Sequence, residues 1–246
     1  MNLDPLPPFG QTALLLDMDG TLIDLAPTPE GVEIDPVLPD TLAALRDQLG
    51  GALAIVTGRP IETVDRFLGP APGAVAGEHG GAFRFMPDMA IERPNLPTPP
   101  AAWLAEAERL AAAYPGAILE RKARGFALHY RQAPEAETAF LKALTDLLAD
   151  DTGFHIMPAH KLWEVRPVGA DKGGAVQALL KHAPFAGRLP VFIGDDVTDE
   201  DGMRAARALG GSGYRVDEAF GAPRDVRAWL REAADRGDWA PLPRVA

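Results

Sequence analysis

Ala13-Leu14-Leu15-Leu16-Asp17-Met18-Asp19-Gly20-Thr21 is the stretch that decides the fold of this 246-residue chain. An apolar run this short, without alternation, is the pattern of a strand covered on both faces in a parallel sheet, and Gly20 and Thr21 end it in a loop. Open α/β sheets bind ligands in the crevice beyond the carboxyl ends of such strands. Asp17 and Asp19, one residue apart, therefore stand where such folds do their chemistry. A solvated acidic turn is the plain alternative. A calcium loop of the EF-hand kind does not fit: it needs glycine at its sixth position, whereas Gly20 falls at the fourth and is followed by Leu22 and Ile23.

Outward from this strand, Leu38, Leu42, Leu45 and Leu49 recur at helical spacing, and Gly50-Gly51 stops the pattern. A second apolar run, 52–56, leads into Thr57-Gly58-Arg59, and Pro60 fits the first turn of a further helix carrying Thr63, Val64 and Phe67. Far along the chain, the stripe Ala175, Val176, Leu179 and Leu180 precedes Val191-Phe192-Ile193, which runs into Gly194-Asp195-Asp196. Strands alternating with helices predict a doubly wound α/β fold with a mostly parallel sheet covered on both faces. The stripe Val226, Trp229, Leu230 and Ala233 reads as core.

Between these halves the texture changes at Pro94-Asn95-Leu96-Pro97-Thr98-Pro99-Pro100, a breaker cluster that reads as a linker. Trp103, Leu104, Ala107, Leu110 and Ala111 then suggest a helix. Residues 117–122 and 126–131 suggest a hairpin turning near Arg124-Gly125. Phe140, Leu141, Leu144, Leu147 and Leu148 suggest a second helix, and 154–157 and 162–166 two more strands. The expectation is a catalytic core of residues 1–96 and 167–246 with an inserted α/β cap, or lid, of residues 97–166.

Composition narrows the partners. A net charge of −11 argues against nucleic acid and against an anionic membrane surface. With no cysteine there is no disulfide framework and no thiolate metal site, so a metal must sit on oxygen or imidazole, and the chain suits the cytoplasm. Residues 1–10 lack the basic start and apolar centre of a signal peptide, and no apolar run reaches the length of a membrane span.

Four charged or hydroxylic stations fall at predicted strand ends or helix starts: Asp17 with Asp19, Thr57, Lys172, and Asp195-Asp196 with Asp199. Their chemistry is complementary. A carboxylate attacks a phosphoryl group to give an aspartyl-phosphate if the charge of nucleophile and phosphate is neutralised. Magnesium does this through oxygen ligands. Thr57 can donate a hydroxyl and Lys172 a point charge to phosphoryl oxygens. Asp19 can protonate the leaving alkoxide and then deprotonate a water. Buried together without metal and phosphate, these charges would repel or go unpaired.

Asp17-Met18-Asp19-Gly20-Thr21, Thr57-Gly58-Arg59, Lys172 and Gly194-Asp195-Asp196-Val197-Thr198-Asp199-Glu200 resemble, in order, the four motifs of the haloacid dehalogenase superfamily. The resemblance implies Asp17 as nucleophile, Asp19 as acid and base, and Thr57 and Lys172 as phosphate ligands; Gly58 and Arg59 are candidates for substrate binding, with a helix-terminal surface charge the plain alternative for Arg59. It also implies magnesium held by Asp17, the Asp19 main-chain carbonyl and Asp195, with Asp199 as a further ligand or a partner behind the ligands.

Within the superfamily the chain is most similar to trehalose-6-phosphate phosphatases. Ala76-Gly77-Glu78-His79-Gly80, Glu120-Arg121-Lys122, Leu128-His129-Tyr130-Arg131 and Glu164-Val165-Arg166-Pro167 carry that likeness. It implies substrate contacts from Glu78 and His79, and a grip on the distal glucose hydroxyls by Glu120, Lys122, Arg131 and Glu164. Taken alone, charges alternating along a strand mark a solvent face. Where the family has two basic residues after a glycine, this chain has Ala159-His160-Lys161.

The expected activity is magnesium-dependent hydrolysis of the sugar phosphate trehalose 6-phosphate, in a trehalose-synthesis pathway, with a trehalose-phosphate synthase as a partner. The alternatives are a sucrose-phosphate or mannosyl-phosphoglycerate phosphatase, a phosphomutase, or a non-catalytic sugar-phosphate-binding regulator of a synthase.

Overall fold

A computed structural model describes residues 3–26 and 31–243. Residues 1 and 2 of the N-terminal segment, and residues 244–246 at the end of the expected core, lie outside the described residues. In chain order the elements begin with β1 (Thr12–Leu16), α1 (Leu38–Gln48), β2 (Leu53–Val56), α2 (Ile61–Leu68), β3 (Ala74–Gly77) and β4 (Ala82–Arg84). They continue with α3 (Ala101–Ala113), β5 (Ile118–Arg121), β6 (Phe126–His129), α4 (Glu137–Leu147), β7 (Phe154–Ala159) and β8 (Leu162–Pro167). The remainder is α5 (Lys172–Leu179), β9 (Leu189–Gly194), α6 (Asp199–Ala208), β10 (Ser212–Arg215), α7 (Val216–Ala219) and α8 (Pro223–Arg236). The chain forms two compact units, Met1–Glu92 with Asp171–Ala246, and Arg93–Ala170.

The first unit is built on a six-stranded sheet of order β10-β9-β1-β2-β3-β4, parallel throughout except for β4. All five residues of β1 are buried, because successive side chains point to opposite faces and both faces are covered. Leu14 and Leu16 enter one core layer with Leu42, Leu45, Val64, Trp229 and Leu230, from α1, α2 and α8. Ala13 and Leu15 enter the other with Val176, Leu179 and Met203, from α5 and α6. The stripe on α8 is core as expected. Pro60 lies one residue ahead of α2, as its N-cap, instead of in its first turn.

Strand order reverses at β1, whose neighbours are β2 on one side and β9 on the other. That is the switch point at which an open sheet leaves a crevice. Asp17 N donates to Ile193 O at 2.9 Å, carrying the β1–β9 ladder to the lip of this crevice.

The second unit is an antiparallel sheet of order β5-β6-β8-β7 with α3 and α4. Directly opposed residues share a face. Phe126 pairs with Val165 and Leu128 with Trp163, and this face packs with Trp103, Leu110, Phe140 and Leu144 from the two helices. The opposite face carries Glu120, Ala127, Glu164 and Met157, linked through the same register.

Candidate active site

Asp17 follows the last residue of β1 and is 4% exposed. Lys172, the first residue of α5, reaches it from across the crevice: Lys172 Nζ donates to Asp17 Oδ1 and to Asp199 Oδ1, each at 2.6 Å. α5 starts there because Asp171 caps it, its side chain accepting from Gly174 N at 2.7 Å. Asp199 opens α6, and its other oxygen accepts from the amides of Asp195 and Asp196 at 3.2 and 3.1 Å. Asp196 in turn accepts from Thr198 N and Oγ1 at 2.8 and 2.7 Å, tightening the loop into the helix. Asp195 accepts from Thr21 Oγ1 at 3.3 Å. Gly20, with φ of 78°, lies under it, where a Cβ would come within 2.1 Å of Asp195 Oδ2.

Two carboxylates, Asp17 and Asp199, thus share one ammonium, and Asp195 stands beside them. Burial, followed by the charge of Asp199, pushes Asp17 well above the ordinary aspartate range, and Lys172 only partly offsets it. Burial and the charges of Asp199 and Asp196 lift Asp195 to about 7, and burial and Asp196 lift Asp199 to about 6 despite Lys172. For Lys172, burial favours the neutral form, but Asp17, Asp199 and Asp196 outweigh it and hold the amine protonated.

Such a site fits a hard divalent cation. Asp17, Asp195 and Asp199 each offer an oxygen, and these oxygens lie within 4.8 Å of one another. Only oxygen donors are present, and the raised carboxyls mark a deficit of positive charge. Both Asp199 oxygens are already engaged, by Lys172 and by the two amides, so Asp17 and Asp195 are the more available pair.

Asp19 stands apart from this cluster. Its carboxylate is held by Arg59 through two bonds, Nε to Oδ2 at 2.6 Å and Nη2 to Oδ1 at 2.5 Å. Arg59 also lies over the Phe67 ring at 5.4 Å. Thr57, 1% exposed, follows β2, and its hydroxyl accepts from Arg59 N at 3.1 Å. Gly58 completes this loop. Glu78 and His79, both buried, form a tight turn directly after β3.

In the second unit, Lys122 Nζ donates to Glu164 Oε1 at 2.6 Å, with both side chains under a tenth exposed. Glu120 Oε2 lies 2.9 Å from His129 Nε2. Burial works against the charge of Glu120, but Lys122 and the His129 bond hold its carboxyl below the usual range. The face is thus a network of paired charges and not a freely solvated row. Arg131 follows β6 and is half-buried.

Two residues join the site without having been singled out. Asp171 carried a readable signal, an N-cap aspartate before a helical stripe. Arg215 carried none. Its Nη2 donates to the Asp195 carbonyl at 2.8 Å and its Nη1 to Glu200 at 2.7 Å, tethering the loop from the end of β10.

A family profile described as trehalose-phosphatase matches residues 15–223. A probable trehalose-phosphate phosphatase of Sinorhizobium fredii is 41% identical over 213 residues, covering 83% of this chain and 77% of its own. The trehalose-6-phosphate phosphatase of Escherichia coli is 34% identical over 227 residues, covering 89% and 85%. Among solved structures, the C-terminal domain of the Candida albicans trehalose-6-phosphate phosphatase superposes with a TM-score of 0.76, at 20% identity over 92% of each chain, a likeness of fold.

Proposed function

The chain belongs to the trehalose-phosphatase family of the haloacid dehalogenase superfamily, and from that premise we propose that it releases phosphate from trehalose 6-phosphate through an aspartyl-phosphate on Asp17. The observation that carries the mechanism is the buried Asp17 at the sheet's switch point, bonded to Lys172 and crowded by two further carboxylates.

An Asp17 oxygen attacks phosphorus, and the bond from phosphorus to the 6-oxygen of the sugar breaks. Asp19 gives its proton to that oxygen as it leaves. A water deprotonated by Asp19 then attacks the same phosphorus, the bond to Asp17 breaks, and phosphate and a restored carboxylate remain. Arg59 holds both Asp19 oxygens at rest, so Asp19 exchanges that partner for the ester oxygen before proton transfer. Lys172 and the Thr57 hydroxyl bind the phosphoryl oxygens, with Gly58 and Arg59 lining the loop. Magnesium held by Asp17, Asp195 and the Asp19 main-chain carbonyl would supply the positive charge that lets two anions meet, with Asp199 fixing Lys172 and the loop amides behind it.

Glu120, Lys122, Arg131 and Glu164 are assigned to the sugar hydroxyls. Paired acids and bases both accept and donate to vicinal hydroxyls, and the buried Lys122–Glu164 pair supports this reading. A synthase joining two sugars, one of them phosphorylated, is the partner that would supply the substrate. A phosphorylated sugar does not cross membranes, which suits a cytoplasmic location; no described helix is long and apolar enough to cross one.

Replacing Asp17 with Asn removes the nucleophile while keeping its shape. Phosphate release from trehalose 6-phosphate should disappear with the circular dichroism spectrum unchanged; retained turnover would contradict the mechanism.

A further inference from the structure

Glu78 and His79 are two adjacent non-glycine residues in the left-handed region, with φ of 52° and 55°. Side chains rarely adopt it singly, and a consecutive pair persists only where the surroundings over-determine it. Both are buried.

The surroundings are two of the phosphoryl-binding stations. On one side, the amide of Glu78 donates to Arg59 O at 3.1 Å and the amide of His79 donates to Thr57 O at 2.9 Å, so consecutive amides grip both ends of the loop 57–59. The His79 imidazole lies against the middle of that loop, where a Cβ on Gly58 would come within 2.5 Å of Nε2. On the other side, the turn packs on α5. A Cβ on Gly80 would come within 3.1 Å of Asp171 O and 3.3 Å of Ala175 Cβ, so the turn abuts the residue that caps α5 and precedes Lys172.

We propose that the 77–81 turn is a rigid spacer between Thr57 and Lys172, and that Glu78 and His79 are positioning residues acting through their backbones. Their left-handed conformation is what aims both amides at the loop while the glycines on either side let the turn sit close to its neighbours. The inference rests on the reading that Thr57 and Lys172 hold the phosphoryl group.

The test is a panel assayed for kcat and KM on trehalose 6-phosphate, for the Kd of inorganic phosphate by calorimetry, and for melting temperature. His79→Val, whose branched side chain resists the left-handed region, should lower kcat about 100-fold, the scale of a 1 Å misplacement, and weaken phosphate binding while changing KM little. His79→Gly, which enters that region freely, should recover most of the loss. Gly58→Ala reaches the same joint from the loop side should His79→Val fail to fold. It should also lower kcat, and the double variant Gly58→Ala/His79→Gly should regain it. The spacer is overturned if His79→Gly loses as much as His79→Val, if it acts on KM alone, or if His79→Val and Gly58→Ala both match the wild type. A wild type that leaves trehalose 6-phosphate intact yet binds phosphate refutes the substrate assignment only, and phosphate affinity across the panel still decides the spacer. A wild type that does neither overturns both.

Discussion

Lys172 is the residue on which the site balances. It bonds Asp17 and Asp199 at 2.6 Å each but not Asp195, whose carboxyl burial and the charges of Asp199 and Asp196 raise to about 7 against the weaker pull of Lys172. A carboxyl raised on folding binds its proton more readily in the native state than in the unfolded one. The stability it contributes is fully present below the unfolded value, near 4, and is lost as pH rises through the folded values of about 6 for Asp199 and about 7 for Asp195. With metal chelated, the melting temperature should therefore rise as pH falls from 8 to about 5. Added magnesium should stabilise most at pH 8, where Asp195 is ionised, and progressively less toward pH 5.5, where protons compete for the same carboxylate. A chelated protein whose melting temperature falls steadily over that range would contradict the crowding. Asp17 and Asp195 were legible in the sequence because an ionisable residue at the end of an apolar run has few structural uses, and Lys172 because it stands at the start of a helical stripe and matches a motif of the resemblance. The bond from Lys172 to Asp199, 27 positions apart, was not legible, and neither was the tether from Arg215, because no local pattern encodes a meeting of two loops.

At the scale of elements, β1, β2 and β9 were readable because a strand buried on both faces is a continuous apolar run. β4 and β10 were not: both lie at the edges of the sheet, one is three residues long, and the other reads Ser-Gly-Tyr-Arg, which carries neither period. In the second unit, β5 and β8 showed charge where a solvated face was the plain expectation, yet Glu164 is 4% exposed. Periodicity reports which face a side chain takes and not whether that face is covered. Burial makes the Lys122–Glu164 pair sensitive to losing one member. Lys122→Met should destabilise the protein by about 3–5 kcal/mol, because it removes the ammonium bonded to buried Glu164, whereas Lys122→Met/Glu164→Leu should recover much of that in urea denaturation. With Glu164→Leu measured alone, a double variant that loses the sum of the two single losses would show that the pair is not coupled.

At the scale of the molecule, each unit has its own apolar core, two layers about the parallel sheet in the first and one layer in the second. The order of strands, 10-9-1-2-3-4, is what turns separated motifs into a site, since it sets the ends of β1 and β9 side by side. Hydrophobic pattern could announce the class of sheet but not that order, because every parallel strand looks alike to it. In the proposed function the acids of the first unit carry the reaction and the charged face of the second unit the choice of sugar. The most direct measurement of that account is phosphate release from trehalose 6-phosphate, beside sucrose 6-phosphate and glucose 6-phosphate, in magnesium and in chelator. The account predicts release from trehalose 6-phosphate well above the other two, and its loss on chelation. Equal release from all three, or release undiminished without a divalent cation, would contradict it.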